Sequence, residues 1–225
     1  MGASDFSKLP HIGEALRRKE DYRFLTGAGN YTDDIRLDNM THAVFVRSPH
    51  AHANIKSINK AKALAAPGVV AVLDGPDVVD AKINGLPCGW LITDTSGKPM
   101  NEPPHPILAN GKVRYVGDHV AMVVAETLEQ AKNAAELVEV DYDVLPAVVD
   151  VRQAKTSTAL HAEAPDNHCY NWAIGDKAAV DAAFANAAHV TKLDLINNRL
   201  APNPMEPRAA IGSYNRASDE YTLYV

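Results

Sequence analysis

Two histidines, His50 and His52, stand one residue apart in an extended stretch, the spacing that puts both imidazoles on one side of the chain and suits zinc. Structural zinc wants four ligands and no third is evident nearby, so the pair reads as hydrogen-bonded turn histidines; a histidine metal-binding module is the alternative. Glu139, Asp141 and Asp143 recur every second residue, on one face of a strand. That row could hold calcium or act as acid and base, but charged residues alternate outward on any half-buried strand, and it reads as a solvated sheet face. Gly27-x-Gly29 lacks the third glycine, the preceding strand and the following helix of a phosphate loop, and reads as a tight turn. Asp33-Asp34 reads as an acidic surface turn. Asn197-Asn198-Arg199 leads into Met205-Glu206-Pro207-Arg208 through Pro202 and Pro204. This reads as a rigid, partly buried structural loop, with a cofactor- or substrate-side loop as the alternative. No Ser or Cys sits on a strand-to-helix elbow, and there is no Cys-x-x-Cys cradle for an iron–sulphur cluster. Cys88 and Cys169 read as buried or incidental thiols of a reducing compartment. No residue of this chain is expected to be catalytic, to bind a cofactor or to ligate a metal.

The elements that would carry such groups centre on Val113 to Pro146. Val120 to Ala125 is a near-continuous apolar run, the pattern of a strand buried on both faces. Thr127 caps a helix, with Gln130 completing a capping box, and Leu128, Ala131, Ala135 and Val138 share one face. Val138, Val140, Tyr142 and Val144 then alternate with acids as a strand. A similar unit precedes it: strands at Ala43–Val46 and Ala53–Ile58, a short helix capped by Asn59 and stopped by Pro67-Gly68, and a strand at Val69–Leu73. The two units are expected to lay their helices on one side of a shared sheet, an α+β arrangement, with a right-handed crossover wherever strands pair in parallel. Between them Gly75 to Asn110, with Cys88, Trp90 and His105, is a long excursion of the kind that often binds or forms an interface. Residues 1 to about 16 read as a loose arm, and 147–175 as a tether. Asp176 caps a helix on which Val180, Ala183, Phe184 and Ala187 share a face. His189–Asn197, Ala209–Tyr214 and Tyr221–Val225 read as strands, the last with no cap or turn after it, a pattern that suggests truncation.

Bulk properties narrow the function. With 22 basic against 28 acidic side chains the net charge is −6, which argues against nucleic acid or an anionic membrane as the main partner. No window is apolar enough for a membrane span and no signal peptide is visible, so the expected location is the cytoplasm.

Several segments resemble one family. Arg18-Lys19-Glu20-Asp21-x-Arg23-Phe24-Leu25-x-Gly27-x-Gly29-x-Tyr31-x-Asp33-Asp34 is similar to the opening of the large, molybdenum-binding subunit of xanthine dehydrogenase-type hydroxylases. So are Phe45-Val46-Arg47-Ser48-Pro49-His50-Ala51-His52, Pro67–Leu73, Val113–Val120 and Ala134–Tyr142 with Leu145-Pro146-Ala147. His119 stands where the family commonly has proline. Asn197–Leu200 with Pro204–Arg208 is most similar to the aerobic carbon monoxide dehydrogenase branch. The resemblance implies an α/β hammerhead domain at 17–147, a linker at 148–175 and the truncated start of a molybdopterin-binding region at 176–225. It implies hydroxylation of a carbon centre, or oxidation of carbon monoxide, with oxygen from water. The cofactor would be molybdopterin cytosine dinucleotide with molybdenum in the complete subunit. Iron–sulphur clusters and FAD would lie on partner subunits, in a dimer of heterotrimers. The family's cofactor loops and catalytic glutamate fall beyond the last residue here, so this chain alone would be inactive. A free-standing docking subunit for a separately encoded partner is the alternative.

Overall fold

Strand β5, His119–Ala125, has no exposed residue along its length, and its apolar run explains why: it is the middle strand of a sheet. It pairs antiparallel with β1 (His42–Arg47) and with β3 (Val69–Asp74). A second sheet has β2 (Ala53–Asn59) between β4 (Lys112–Val113) and β6 (Glu139–Val144), again antiparallel throughout. This computed structural model describes residues 13–198, 200–205 and 207–225. Its two compact units are Asn39–Leu193, which holds both sheets, and Met1–Asp38 with Asp194–Val225.

The helices appear where caps predict them. Helix α4 (Leu128–Ala135) opens on Thr127, whose hydroxyl accepts from Gln130 N while the Gln130 side chain accepts from Thr127 N. It buries Ala131 and Ala134, small residues that bring the helix close to the first sheet. Helix α2 (Ala61–Leu64) receives one bond from Asn59, whose side chain accepts from Ala61 N at 3.1 Å. Ala63, Val72, Ala121, Val123, Ala134 and Val138 form one core cluster, and Ala53, Ala109, Val113 and Val120 a second. At ~25 cal/mol per Å² of buried apolar area, each fully buried valine contributes about 1.5–3 kcal/mol.

The shared sheet is not what forms. β5 and β6 lie in different sheets, as do β2 and β3, so α4 and α2 each carry the chain from one sheet to the other, and no parallel crossover arises among the described residues. Alternation sets which face of a strand is dry; it does not choose the partner. Three further differences have local causes. Gly75–Asp80, read as part of an irregular excursion, is helix α3: Asp74 caps it, Asp77 returns the bond, and Pro76 occupies the first turn, where a missing N–H costs nothing. Lys60 bridges Asp74 at 3.0 Å and Asp77 at 2.5 Å, tying α3 to the α2 turn. The expected strand at 189–197 is unpaired coil, with Leu193, Leu195 and Ile196 exposed; the pattern is that of a strand, but none of the described residues pairs with it. Residues 147–175 do not run free. Thr95 N donates to Asn171 O (2.9 Å) and Asn101 N to Cys169 O (2.8 Å), from the turn that Met100 N closes on Ile92 O, and Arg114 Nε donates to Leu160 O at 2.9 Å.

Helix α5 (Lys177–Asn186) is capped as expected, Asp176 accepting from Ala179 N at 3.0 Å, yet Val180 and Phe184 on its apolar face stay more than half exposed. In the other unit, α1 (Asp21–Leu25) precedes the turn at Gly27, where φ is +73° and glycine is the residue that fits. The hairpin of β7 (Ile211–Asn215) and β8 (Glu220–Tyr224) follows the expected positions closely. Residues 1–12 of the expected arm lie outside the described residues.

Candidate functional site

The two sequence-flagged histidines part company. His50 packs edge-on against Tyr142 with ring centroids 4.9 Å apart. His52 is 2% exposed, and its Nδ1 sits 2.8 Å from the Pro146 carbonyl, a bond in which the ring nitrogen donates. Ser48, also buried, accepts from His50 N and so holds the turn between them. The acidic row on β6 is answered from its own sheet and from α2: Glu139 by Lys62 at 2.5 Å and Asn59 at 3.2 Å, Asp141 by Lys56 at 3.9 Å, Asp143 by Asn54 at 3.3 Å. Among the described residues no cluster of three or more His, Cys, Asp or Glu has metal-site geometry. Cys88 is exposed and Cys169 half-buried, both as free thiols.

In the smaller unit a cavity of about 880 Å³ is lined by Tyr31, Asp33, Asp34, Pro207, Arg208 and Val225, among others. It brings together two stretches the sequence flagged separately. Asp34 is occupied, accepting from Tyr31 N at 2.9 Å. Arg199 and Glu206 lie outside the described residues. A pyrophosphate-bearing pterin needs convergent backbone N–H donors, as at a glycine-rich loop or helix N-terminus. The described lining offers two carboxylates and one guanidinium instead, so these residues do not by themselves fit that group.

A second concavity, about 180 Å³, lies in the larger unit. The run Pro103-Pro104-His105-Pro106 makes one wall; Arg114, Tyr115 and Asp118, from the β4–β5 turn, make another; His161 closes it. The turn is tightly specified. Asp118 Oδ2 accepts from Arg114 N at 3.0 Å, Gly117 takes φ +89°, and Ser48 N and O bond across to Asp118 O and Gly117 N, each at 2.8 Å. Burial, then the Arg114 charge, push the His161 imidazole below its ordinary value, with Glu163 opposing. His119, stacked on Phe45 at 4.3 Å, is lowered by burial and then by Arg47. Burial, then Asp118, raise the Tyr115 hydroxyl. Sequence reasoning missed this group, because His105, Arg114 and His161 come from three separate segments with no local pattern; the proline run flanking His105 was the one visible signal.

These shifts have a consequence for stability. An imidazole with a lowered folded value binds its proton first in the unfolded chain, so its contribution is complete above the ordinary value of 6.5 and is lost as pH falls below it. The urea midpoint of the larger unit should therefore drop between about pH 7.5 and about pH 5.5. The His119→Gln/His161→Gln double variant should show a shallower drop, and an unchanged slope would refute the assignment.

Residues 26–146 match the family described as aldehyde oxidase and xanthine dehydrogenase, a/b hammerhead domain, and residues 160–225 match the molybdopterin cofactor-binding domain. The carbon monoxide dehydrogenase large chain of Afipia carboxidovorans is 38% identical over 231 residues, covering 96% of this chain and 27% of that protein. The nicotine 6-hydroxylase large subunit of Paenarthrobacter nicotinovorans is 36% identical, covering 95% of this chain and 26% of that one. Among solved structures, the reconstituted CO dehydrogenase from Oligotropha carboxidovorans matches with a TM-score of 0.78 at 37% identity, over 92% of this chain and 26% of that one. Quinoline 2-oxidoreductase from Pseudomonas putida 86 matches with a TM-score of 0.74 at 35% identity, over 94% and 26%. The chain thus spans about a quarter of the length of these relatives. An α+β body of two antiparallel sheets, bridged by capped helices and matched along its length, places this chain in the aldehyde oxidase and xanthine dehydrogenase family, as an α/β hammerhead domain followed by the start of a molybdopterin cofactor-binding domain.

Proposed function

We propose that this chain is the frame of a molybdenum hydroxylase large subunit, the part that shapes and supports a catalytic centre built on other polypeptide. The observation that carries this reading is the coverage: nearly all of this chain aligns, at 36–38% identity, to about a quarter of large subunits named for carbon monoxide and nicotine oxidation. The apolar side chains left in solvent support it. Val180 and Phe184 on α5, and Leu193, Leu195 and Ile196 after it, have the patterns of a buried helix face and a paired strand but are 51–81% exposed. In the assembled subunit the cofactor is molybdopterin, in its cytosine dinucleotide form, and it supplies the oxidation of a carbon centre with oxygen from water. Iron–sulphur and FAD subunits take the electrons, in a dimer of heterotrimers in the cytoplasm; no helix among the described residues is long and apolar enough to cross a membrane. The domain boundaries we assign are 17–147 for the hammerhead, 148–175 for a connecting segment and 176–225 for the start of the cofactor region.

A second reading, a docking subunit that completes a separately encoded partner, rests on the same exposed apolar surface. The mass of the native product carrying this sequence separates them. A polypeptide several-fold heavier than the 24.2 kDa of this chain supports the frame within one large subunit. A light chain that co-purifies with a molybdenum-containing partner supports the docking subunit. A light chain with neither overturns both.

A further inference from the structure

We propose that the concavity between the Pro103–Pro106 wall and the β4–β5 turn binds a small oxyanion. Its volume, about 180 Å³, is that of roughly six liquid waters, enough for a tetrahedral or planar oxyanion with part of its hydration. The donor set fits an anion. The Arg114 guanidinium makes one bond among the described residues, Nε to Leu160 O at 2.9 Å, which fixes the side chain and leaves the Nη edge for a ligand. His105 and His161 line the same cavity, and the Nδ1 of His161 is buried with no partner. His52, whose Nδ1 is taken by the Pro146 carbonyl, lies within electrostatic reach of His161 but does not line the cavity. Buried polar atoms in native proteins are nearly always satisfied, so an orphan on a residue that lines this cavity points to a group that completes it. A metal cation is the wrong sign for a site fronted by a fixed guanidinium.

Asp118, the one acid in the lining, already accepts from Arg114 N at 3.0 Å and lies beside the Tyr115 hydroxyl. Other charges around the site are Glu163 next to His161, and Arg47 with His119 beyond Asp118. A bound anion would favour the imidazolium form of His161, which burial and Arg114 otherwise oppose, so binding should tighten as pH falls. The proline wall keeps the site open in advance, since three fixed φ angles leave little backbone entropy to lose on binding. This site is independent of the large-subunit reading above.

The test is calorimetric titration of the 225-residue chain with sodium sulfate, whose charge is constant over the range, at about pH 6 and about pH 8, against sodium chloride at matched ionic strength. Expected is one saturable site, several-fold tighter at the lower pH, weakened on the order of tenfold by Arg114→Gln. Arg114 also tethers Leu160, so His105→Gln is the second variant. It should weaken sulfate several-fold while leaving the thermal midpoint of the sulfate-free chain unchanged. No saturable isotherm, an equal response to chloride, or sulfate binding unaffected by His105→Gln would overturn the proposal.

Discussion

Val123→Asp should abolish the cooperative fold of Asn39–Leu193. Val123 is 0% exposed on the central strand, opposite Val44 on one side and Val72 on the other. Its core neighbours are Ala63, Val72, Ala121, Ala134 and Val138, with no cation among them to meet a carboxylate. The substitution removes about 2 kcal/mol of apolar burial and adds the several kcal/mol of an unpaired buried charge. A total above about 4 kcal/mol is a large share of the 5–15 kcal/mol that holds a domain of this size. The control is Val70→Asp on β3, where the side chain is 61% exposed and the change should stay within about 0.5 kcal/mol. Equal urea midpoints for the two variants would show that the core is not where we place it.

Gly75→Ala should cost about 3 kcal/mol, a large effect for one methyl group. A Cβ at Gly75 would fall 2.4 Å from the Ala109 carbonyl oxygen and 2.8 Å from Asn110 Cα, both backbone atoms that cannot swing aside. Moving them disturbs the bonds from Ala109 N to His119 O and from Ile55 N to Gly111 O, which join the excursion to both sheets. Gly89→Ala is the contrast: nothing lies within 4 Å of its Cβ position, and the lost freedom of the unfolded chain makes it neutral or slightly stabilising. Thermal unfolding of the pair checks this, and a Gly75→Ala midpoint equal to that of Gly89→Ala would contradict it.

What the sequence made legible was local. The Thr127–Gln130 box, the Asp176 cap, the buried run of β5 and the closing hairpin are set by residues within a few positions of one another, and each is found where its pattern lies. Helix α3 was hidden for a related reason: Gly75 and Pro76 read as breakers, although proline in a first turn beside an aspartate cap is a start signal. Sheet partnership was not legible, because β2 and β6 are some eighty residues apart and period-two alternation is silent about which strand lies alongside. The unpaired 189–197 segment shows the same limit, since a strand pattern states a need for a partner and does not supply one. The family resemblance reached further than any of these patterns, because order and spacing along the whole chain carry what no single motif does.

The candidate sites divide likewise. The Asp33-Asp34 turn and the Pro207-Arg208 loop were each visible, and the fold brings them to one cavity. The Arg114–His105–His161 group was not visible, since its members come from three segments that only the fold assembles.

The central claim is that these residues frame a catalytic centre without containing it, and metal content with turnover of the purified 225-residue chain tests it most directly. Expected is a chain that unfolds cooperatively, retains no molybdenum through gel filtration after expression in a molybdopterin-producing host, and oxidises neither carbon monoxide nor an aldehyde or N-heterocycle. Stoichiometric molybdenum together with turnover of any of these substrates would contradict it.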